Sequence, residues 1–263
     1  MSPADLEPLA SIAEEVAAAW GVELGPPFAL SRYSYVAPAG DDAVLKVTPP
    51  EDDESDEEAD ALELWNGDCA VRLLRRDRSR RALLIERARP GDDISGLPEN
   101  EATAIAVAVG TRLWRPAAKP FRWIGDHVPR WLDQAEASEQ EGRELIPLAR
   151  ELYAALEVGS ATLVHGDFHH HNILRAGDRF LAIDAKAMLG EPEYDIPSFL
   201  WNPLGTTMTL DRTTRRLSAF AAAGLDQDRM RAWAVIRGAF LGSDEHEVGV
   251  LRALVRAAPP HGG

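Results

Sequence analysis

Leu163-Val164-His165-Gly166-Asp167-Phe168-His169-His170-His171-Asn172-Ile173-Leu174, followed closely by Phe180-Leu181-Ala182-Ile183-Asp184, is the stretch that decides the fold of this chain. Short apolar runs bracket a polar loop, so Asp167 and Asn172 are offered from a loop held by strands and Asp184 from the end of the next strand. Three oxygen donors therefore converge at one edge. Mg²⁺ takes carboxylate and amide oxygens, keeps several waters and completes its shell with phosphate oxygens. A carboxylate left over can orient and deprotonate a hydroxyl. His-Gly-Asp by itself is an ordinary turn, and only the full set has meaning.

On either side of this β-rich island the pattern changes character near residue 90. Before it, residues 4–20 form an amphipathic helix, with Leu6, Leu9, Ile12, Val16 and Trp20 on one face and Gly21 to stop it. Extended segments follow at Phe28–Val36, Ala43–Val47, Val71–Leu74 and Ala82–Glu86, the last two flanking a polar turn at Arg76–Arg80, with a helix over Ser55–Trp65 closed by Gly67. Beyond Arg89-Pro90-Gly91-Asp92-Asp93 the helical segments are 98–115, 141–157, 195–201, 211–224, 227–241 and 246–257. The expected organisation is α+β: a sheet domain over residues 1–89, a helical domain over 90–263 with a two-strand insertion, and a cleft between them.

Composition sets the class. Of 263 residues, 45% are hydrophobic and 27% charged, which excludes disordered, collagenous and coiled-coil chains. The net charge of −15 argues against nucleic acid and anionic membranes as general partners and favours cationic small molecules, or anionic ones carried by a metal. Lone Cys69, an acidic N-terminal stretch and the lack of about 18 consecutive apolar residues give a cytoplasmic expectation. Eight acids lie within Glu51–Asp60, a block expected to be a solvated loop and helix start. Arg72, Arg75, Arg76, Arg78, Arg80 and Arg81, without interleaved aromatics, are expected to neutralise it in part. His169, His170 and His171 are consecutive and cannot all face one ion, so they read as loop and supporting residues rather than a zinc site.

His-x-Asp-x-x-x-x-Asn followed by an apolar strand ending in Asp is the spacing of kinase-type phosphoryl transfer. The run from His165 to Asn172 resembles the catalytic loop of aminoglycoside phosphotransferases, with Gly166 where eukaryotic protein kinases carry Arg. With Leu181-Ala-Ile-Asp-Ala-Lys, Gly190-Glu-Pro-Glu-Tyr-Asp, Ala43-Val-Leu-Lys-Val, Glu58-Ala-Asp-Ala-Leu-Glu-Leu-Trp-Asn-Gly and Ala82-Leu-Leu-Ile-Glu-Arg-Ala, the chain is similar to the aminoglycoside 6-phosphotransferase and hydroxyurea phosphotransferase group.

That resemblance implies a bilobal protein-kinase-like fold, with a small antiparallel sheet lobe carrying a helix and a larger, mainly helical lobe. It implies ATP and Mg²⁺ as cofactors and a small polar, cationic acceptor such as streptomycin, at its 6-hydroxyl, or else hydroxyurea. Asp167 would be the catalytic base, Asn172 and Asp184 the metal ligands, and Lys46 the lysine on the phosphates, paired with Glu58. Glu58 shares a helix face with Ala61, Leu62 and Trp65, whereas Glu57 shares one with Ala61 and Leu64 and stays open. Backbone groups of Glu86 and Ala88 would meet the adenine edge, and Ser31 would lie in the phosphate hairpin. Lys186 would stand near the transferred phosphate. Glu191 and Glu193 would face the acceptor, and Asp195 joins that set or else braces the catalytic loop from a helix start; Asp126, Asp133 and Glu136 are further acceptor candidates. The hairpin Leu30–Tyr35 has no glycine, which keeps a nucleotide-binding module without turnover as one rival and a kinase for an unrelated metabolite as another.

Overall fold

The computed structural model describes residues 7–29, 33–118, 120–138, 140–159 and 161–256. They divide into two compact units, and the division is not the contiguous cut expected at residue 90. One unit takes the chain up to Asp93 together with Ile173–Ala187; the other takes Ile94–Asn172 and everything from Met188 onward. The supposed two-strand insertion is the reason. Its strands pair with residues just beyond Arg89, so hydrogen bonding assigns them to the first unit.

In the first unit, α1 (Glu7–Trp20) packs on a sheet of β1 (Tyr35–Ala39), β2 (Ala43–Val47), β3 (Leu73–Asp77) and β4 (Ala82–Glu86), ordered β1-β2-β4-β3 and antiparallel throughout. Leu9, Ala13, Val16 and Ala17 of the helix meet Ala39, Ala43, Leu45, Val47, Ala82 and Leu84. Alternation along β2 puts Lys46 on the face away from that core. Pro38, which has no amide hydrogen to donate, sits in an edge strand where none is needed. α2 (Glu58–Trp65) buries Glu58, Ala61, Leu62 and Trp65, the face anticipated from spacing. Asn66 closes it in the left-handed region at φ 47°, donating its N–H to Leu62 O. β5 (Pro90–Asp93), β9 (Ile173–Ala176) and β10 (Arg179–Ala182) form a second antiparallel sheet in the order β10-β9-β5.

The second unit is mainly helical: α3 (Glu99–Leu113), α4 (Ile124–Ala137), α5 (Ile146–Leu156), α6 (Ile196–Trp201), α7 (Leu210–Ala222), α8 (Gln227–Leu241) and α9 (Glu245–Arg256). α8 runs through its centre, with Met230, Trp233, Ala234, Val235, Ile236 and Ala239 fully buried. A small sheet of β6 (Arg115–Pro116), β8 (Thr162–Val164), β11 (Met188–Gly190) and β7 (Arg122–Trp123), in that order, carries the catalytic-loop sequence on the end of β8. Several expected boundaries move. The first strand begins at Tyr35 rather than Phe28, β3 runs into the expected Arg76–Arg80 turn, and the expected helix 141–157 is a 3₁₀ turn at Arg143–Leu145 followed by α5. α4 was not among the expected helices, and it carries Gly125 and Pro129, two residues that disfavour a helix interior. Its buried stripe of Ile124, Val128, Leu132 and Ala135 outweighs them. No helix among the described residues is long and apolar enough to cross a membrane.

Candidate functional site

The first unit assembles a charged trio. Lys46 Nζ donates to Glu58 Oε2 at 2.7 Å and to Asp184 Oδ1 at 2.5 Å. Lys46 and Glu58 are 5% and 1% exposed, while the Asp184 side chain keeps 44% of its surface. Burial opposes the ammonium charge, but the two carboxylates more than offset it and raise the Lys46 pKa. Burial pushes the Glu58 carboxyl up against the pull of Lys46. A buried pair of this kind adds little net stability, yet losing one partner strands the other at a cost of about 3–5 kcal/mol. Glu58, and not Glu57, is therefore the partner. Asp184 adopts φ 58°, a left-handed conformation that Asp tolerates better than most residues and that concentrates at functional sites. The β9–β10 register pairs Ile173 with Ala182, so the chain enters the hairpin directly after Asn172 and leaves it two residues before Asp184.

Other first-unit expectations fare differently. Lys186 Nζ is held by Asp52 Oδ2 and Ser55 Oγ, both at 2.9 Å, and so ties down the segment leading into α2. The Glu86 carboxylate accepts from the Arg72 amide and from Arg179, and its own N–H donates to Arg72 O. Ala88 N–H takes part in none of the hydrogen bonds among the described residues. Ser31 lies outside the described residues. The basic hairpin does neutralise part of the acidic block: Arg76 and Arg78 both reach Asp60, at 2.5 and 3.0 Å, and Arg81 pairs with Asp56. A cavity of about 260 Å³ lined by these arginines, Thr48, Ser55 and Leu83 is thus walled by guanidiniums already partnered. Arg75 instead donates to the Trp20 carbonyl.

The second unit builds the loop that carries Asp167. Gly166 sits at φ 83°, which a side chain would strain. Phe168 is fully buried and meets Trp114 and His165 edge-on at 6.1 and 6.0 Å, anchoring the loop. Asn172 Nδ2 donates to Asp167 O at 2.9 Å, which leaves Oδ1 as the atom available to a cation. Burial works against the Asp167 charge, but the hydrogen bond and charge of His169, with Arg237 and His165 behind it, hold the carboxyl below the usual carboxylate range. The three histidines diverge: His170 stacks on Phe199 at 4.0 Å, while His169 approaches Asp167 and Asn172. Among the described residues no group of three or more His, Cys, Asp or Glu could hold a metal. Asn172 Oδ1 and the Asp184 carboxylate, each in its own unit, are hard oxygen donors of the kind Mg²⁺ takes.

Asp195 is fully buried and accepts from the amides of His165 at 2.8 Å and Gly166 at 2.7 Å and from Trp114 Nε1 at 2.9 Å. It braces the loop, as one of its two expectations held, and has no surface left for an acceptor. Glu191 and Glu193 are corrected likewise. Glu191, 3% exposed, is gripped by Arg229 and Trp233 Nε1; Glu193, 9% exposed, accepts from the Asp226 amide at 3.0 Å and is pushed up by burial. Asp133 and Glu136 are both held by Arg150 at 2.7 Å. Sequence reasoning missed Trp114 and Arg237. The only sign of Arg237 was a single cation inside the apolar run Trp233-Ala-Val-Ile-Arg-Gly-Ala.

An antiparallel sheet whose Lys46 pairs with Glu58 of the helix beside it, and a braced Asp/Asn loop in a helical unit, define a phosphotransferase of the protein-kinase-like type. The solved structures agree on the fold. A choline/ethanolamine kinase family protein from Mesorhizobium loti superposes with a TM-score of 0.64 at 14% identity, covering 92% of this chain and 84% of its own. A thermostable mutant of aminoglycoside phosphotransferase APH(4)-Ia gives 0.63 at 18%, covering 93% and 98%; another form of that enzyme, in ternary complex with ADP and hygromycin B, gives 0.60 at 19%, covering 95% and 100%. The profile of the aminoglycoside/hydroxyurea antibiotic resistance kinases matches residues 29–249, and the chain belongs to that family. It is 33% identical over 239 residues to the hydroxyurea phosphotransferase of Kitasatospora aureofaciens, covering 83% of this chain and 67% of that one. It is 30% identical over 208 residues to the streptomycin 3''-kinase of Klebsiella pneumoniae, covering 73% and 76%.

Proposed function

We propose that this phosphotransferase acts in the cytoplasm, moving the γ-phosphoryl group of ATP to a hydroxyl of a small polar acceptor, with streptomycin at its 6-hydroxyl as the first candidate and hydroxyurea as the second. The observation that carries the reading is the pairing of Lys46 with both Glu58 and Asp184 in a unit that also offers the Ala88 amide just beyond β4. Lys46 exchanges Asp184 for the α- and β-phosphates, and Glu58 keeps it charged and aimed. Ala88 N–H and the Glu86 carbonyl meet the adenine edge. Asp184 and Asn172 Oδ1 would hold Mg²⁺, which supplies charge neutralisation at the phosphates when bound. Asp167, ionised at neutral pH, orients the acceptor hydroxyl and takes its proton.

Family membership supports the acceptor class, and the relatives divide over the acceptor itself: one is a hydroxyurea phosphotransferase, the other a streptomycin 3''-kinase. Because Glu191, Glu193 and Asp195 are spent on internal partners, a guanidinium-bearing acceptor must be met by other carboxylates, of which Asp126, exposed in the first turn of α4, is the candidate. The test is ADP release by the purified enzyme with Mg·ATP against streptomycin, hydroxyurea and choline, with the phosphorylated position located by NMR. Phosphate on the 6-oxygen supports the proposal; phosphate on the 3''-oxygen, or turnover with choline alone, overturns the assignment.

A further inference from the structure

The peptide between Gly166 and Asp167 is clamped on both faces. Gly166 accepts a hydrogen bond on its carbonyl from Arg237 Nη1 at 3.1 Å, and the Asp167 amide of the same peptide donates to His165 Nδ1 at 3.3 Å. One residue earlier, the Gly166 amide is fixed by Asp195. The same Nη1 of Arg237 donates to Tyr194 O at 3.1 Å, and its guanidinium lies 4.4 Å from the centre of the Tyr194 ring. Tyr194 directly precedes Asp195, so Arg237 joins the loop to the segment that braces it.

Arg237 is 5% exposed in the middle of α8, flanked by buried Trp233, Ala234, Ile236, Gly238 and Ala239. Among the described residues no carboxylate is in ion-pair contact with it, and its Nε has no hydrogen-bond partner. A buried cation whose direct contacts are carbonyl dipoles and a ring face, with the Asp167 carboxylate attracting it only at longer range, is expensive, and an apolar side chain of similar volume would serve stability as well or better. The expense points to a use other than holding the helices together.

We propose that Arg237 is a positioning residue for phosphoryl transfer: it fixes the plane of the Gly166–Asp167 peptide and thereby the direction of the Asp167 carboxylate. This rests on Asp167 being the catalytic base. A group misplaced by about 1 Å costs on the order of a hundredfold in rate, so a loose peptide plane lowers turnover without touching the nucleotide.

The experiment compares wild type, Arg237→Met, Arg237→Ala and Asp167→Asn in two readouts. In amide hydrogen exchange, Arg237→Met is expected to speed exchange in the peptide spanning residues 163–172 while α8 stays protected; unchanged exchange there overturns the proposal whatever the acceptor proves to be. In turnover with streptomycin or hydroxyurea and Mg·ATP, Arg237→Met is expected to lose about 10- to 100-fold in kcat with KM for ATP nearly constant. Arg237→Ala is expected to regain part of that kcat with ethylguanidinium but not with ethylammonium. Wild-type turnover in Arg237→Met, or a loss in both variants that follows their melting temperatures and resists ethylguanidinium, overturns it. A fully active Asp167→Asn protein instead removes the catalytic role of Asp167 beneath it.

Discussion

Asp195 shows how one side chain is specified by its neighbours. All three of its partners are donors, two backbone amides and an indole N–H, so a carboxylate is the group that satisfies them. Asp195→Asn turns an amide NH₂ toward at least one of these donors and should cost about 2–4 kcal/mol, read as a lowered denaturation midpoint with an unchanged slope. Asp167→Asn tests a different property. It should leave the melting temperature and Mg·ATP binding nearly intact while lowering turnover by about 10²- to 10⁴-fold. At this scale the sequence was readable where chemistry is local. Asp167, Asn172 and Asp184 lie within one short stretch, and the face Glu58 shares with Leu62 and Trp65 supported the choice that the resemblance implied while leaving Glu57 open. It was unreadable where the partner is remote, since nothing near Glu191 announces Arg229 or Trp233, and nothing near Gly166 announces Arg237.

Among elements, α3 and α7 are joined by a bidentate pair. Arg216, 1% exposed, donates from Nε and Nη2 to the two oxygens of Glu99 at 2.6 and 2.9 Å, and its Nη1 reaches the carbonyls of Phe199 and Asn202 at the end of α6. The hydrogen bond from Arg216 lowers the Glu99 pKa against the opposing effect of burial. Because the folded-state value lies below the unfolded one, the resulting stability is whole above the ordinary glutamate range and is lost as pH falls through the folded value. Urea denaturation as a function of pH should therefore show a shallower acid-side decline in Glu99→Gln than in wild type; identical declines would show that the pair carries no linkage. The elements themselves were legible where periodicity is uninterrupted, as in α1 and α2. α4 was hidden by Pro129, whose missing N–H and restricted φ cost less in place than the buried stripe returns. β5 was hidden by Arg89-Pro90-Gly91-Asp92-Asp93, which reads as a turn until β9 supplies a partner from far along the chain.

Over the whole molecule, the net charge of −15 is unevenly spread, with eight acids in Glu51–Asp60. The block is only partly the solvated run expected, because Glu57 and Glu58 are buried and Asp56 and Asp60 meet arginines of the hairpin. Partly exposed pairs are weak and screened. Arg76→Glu should cost about 1 kcal/mol at low salt and less at high salt, whereas Arg75→Glu, whose native partner is a carbonyl, should show the smaller salt dependence. Melting temperatures at two ionic strengths decide this, and equal salt responses would count against neutralisation.

A ribosome that has reached Asp93 has delivered β1–β4 and α1 in full but only one strand of the sheet shared by β5, β9 and β10. The rest of the first unit is written later in the message, after the whole of Ile94–Asn172. A nascent or truncated chain ending between β5 and β9 therefore holds Lys46 and Glu58 as a one-to-one pair and lacks the second carboxylate, Asp184, that completes the trio. For anyone dividing the gene to make a two-fragment enzyme, a first fragment must run through Ala187 to contain the whole first unit, and it then carries Ile94–Asn172 of the second unit with it.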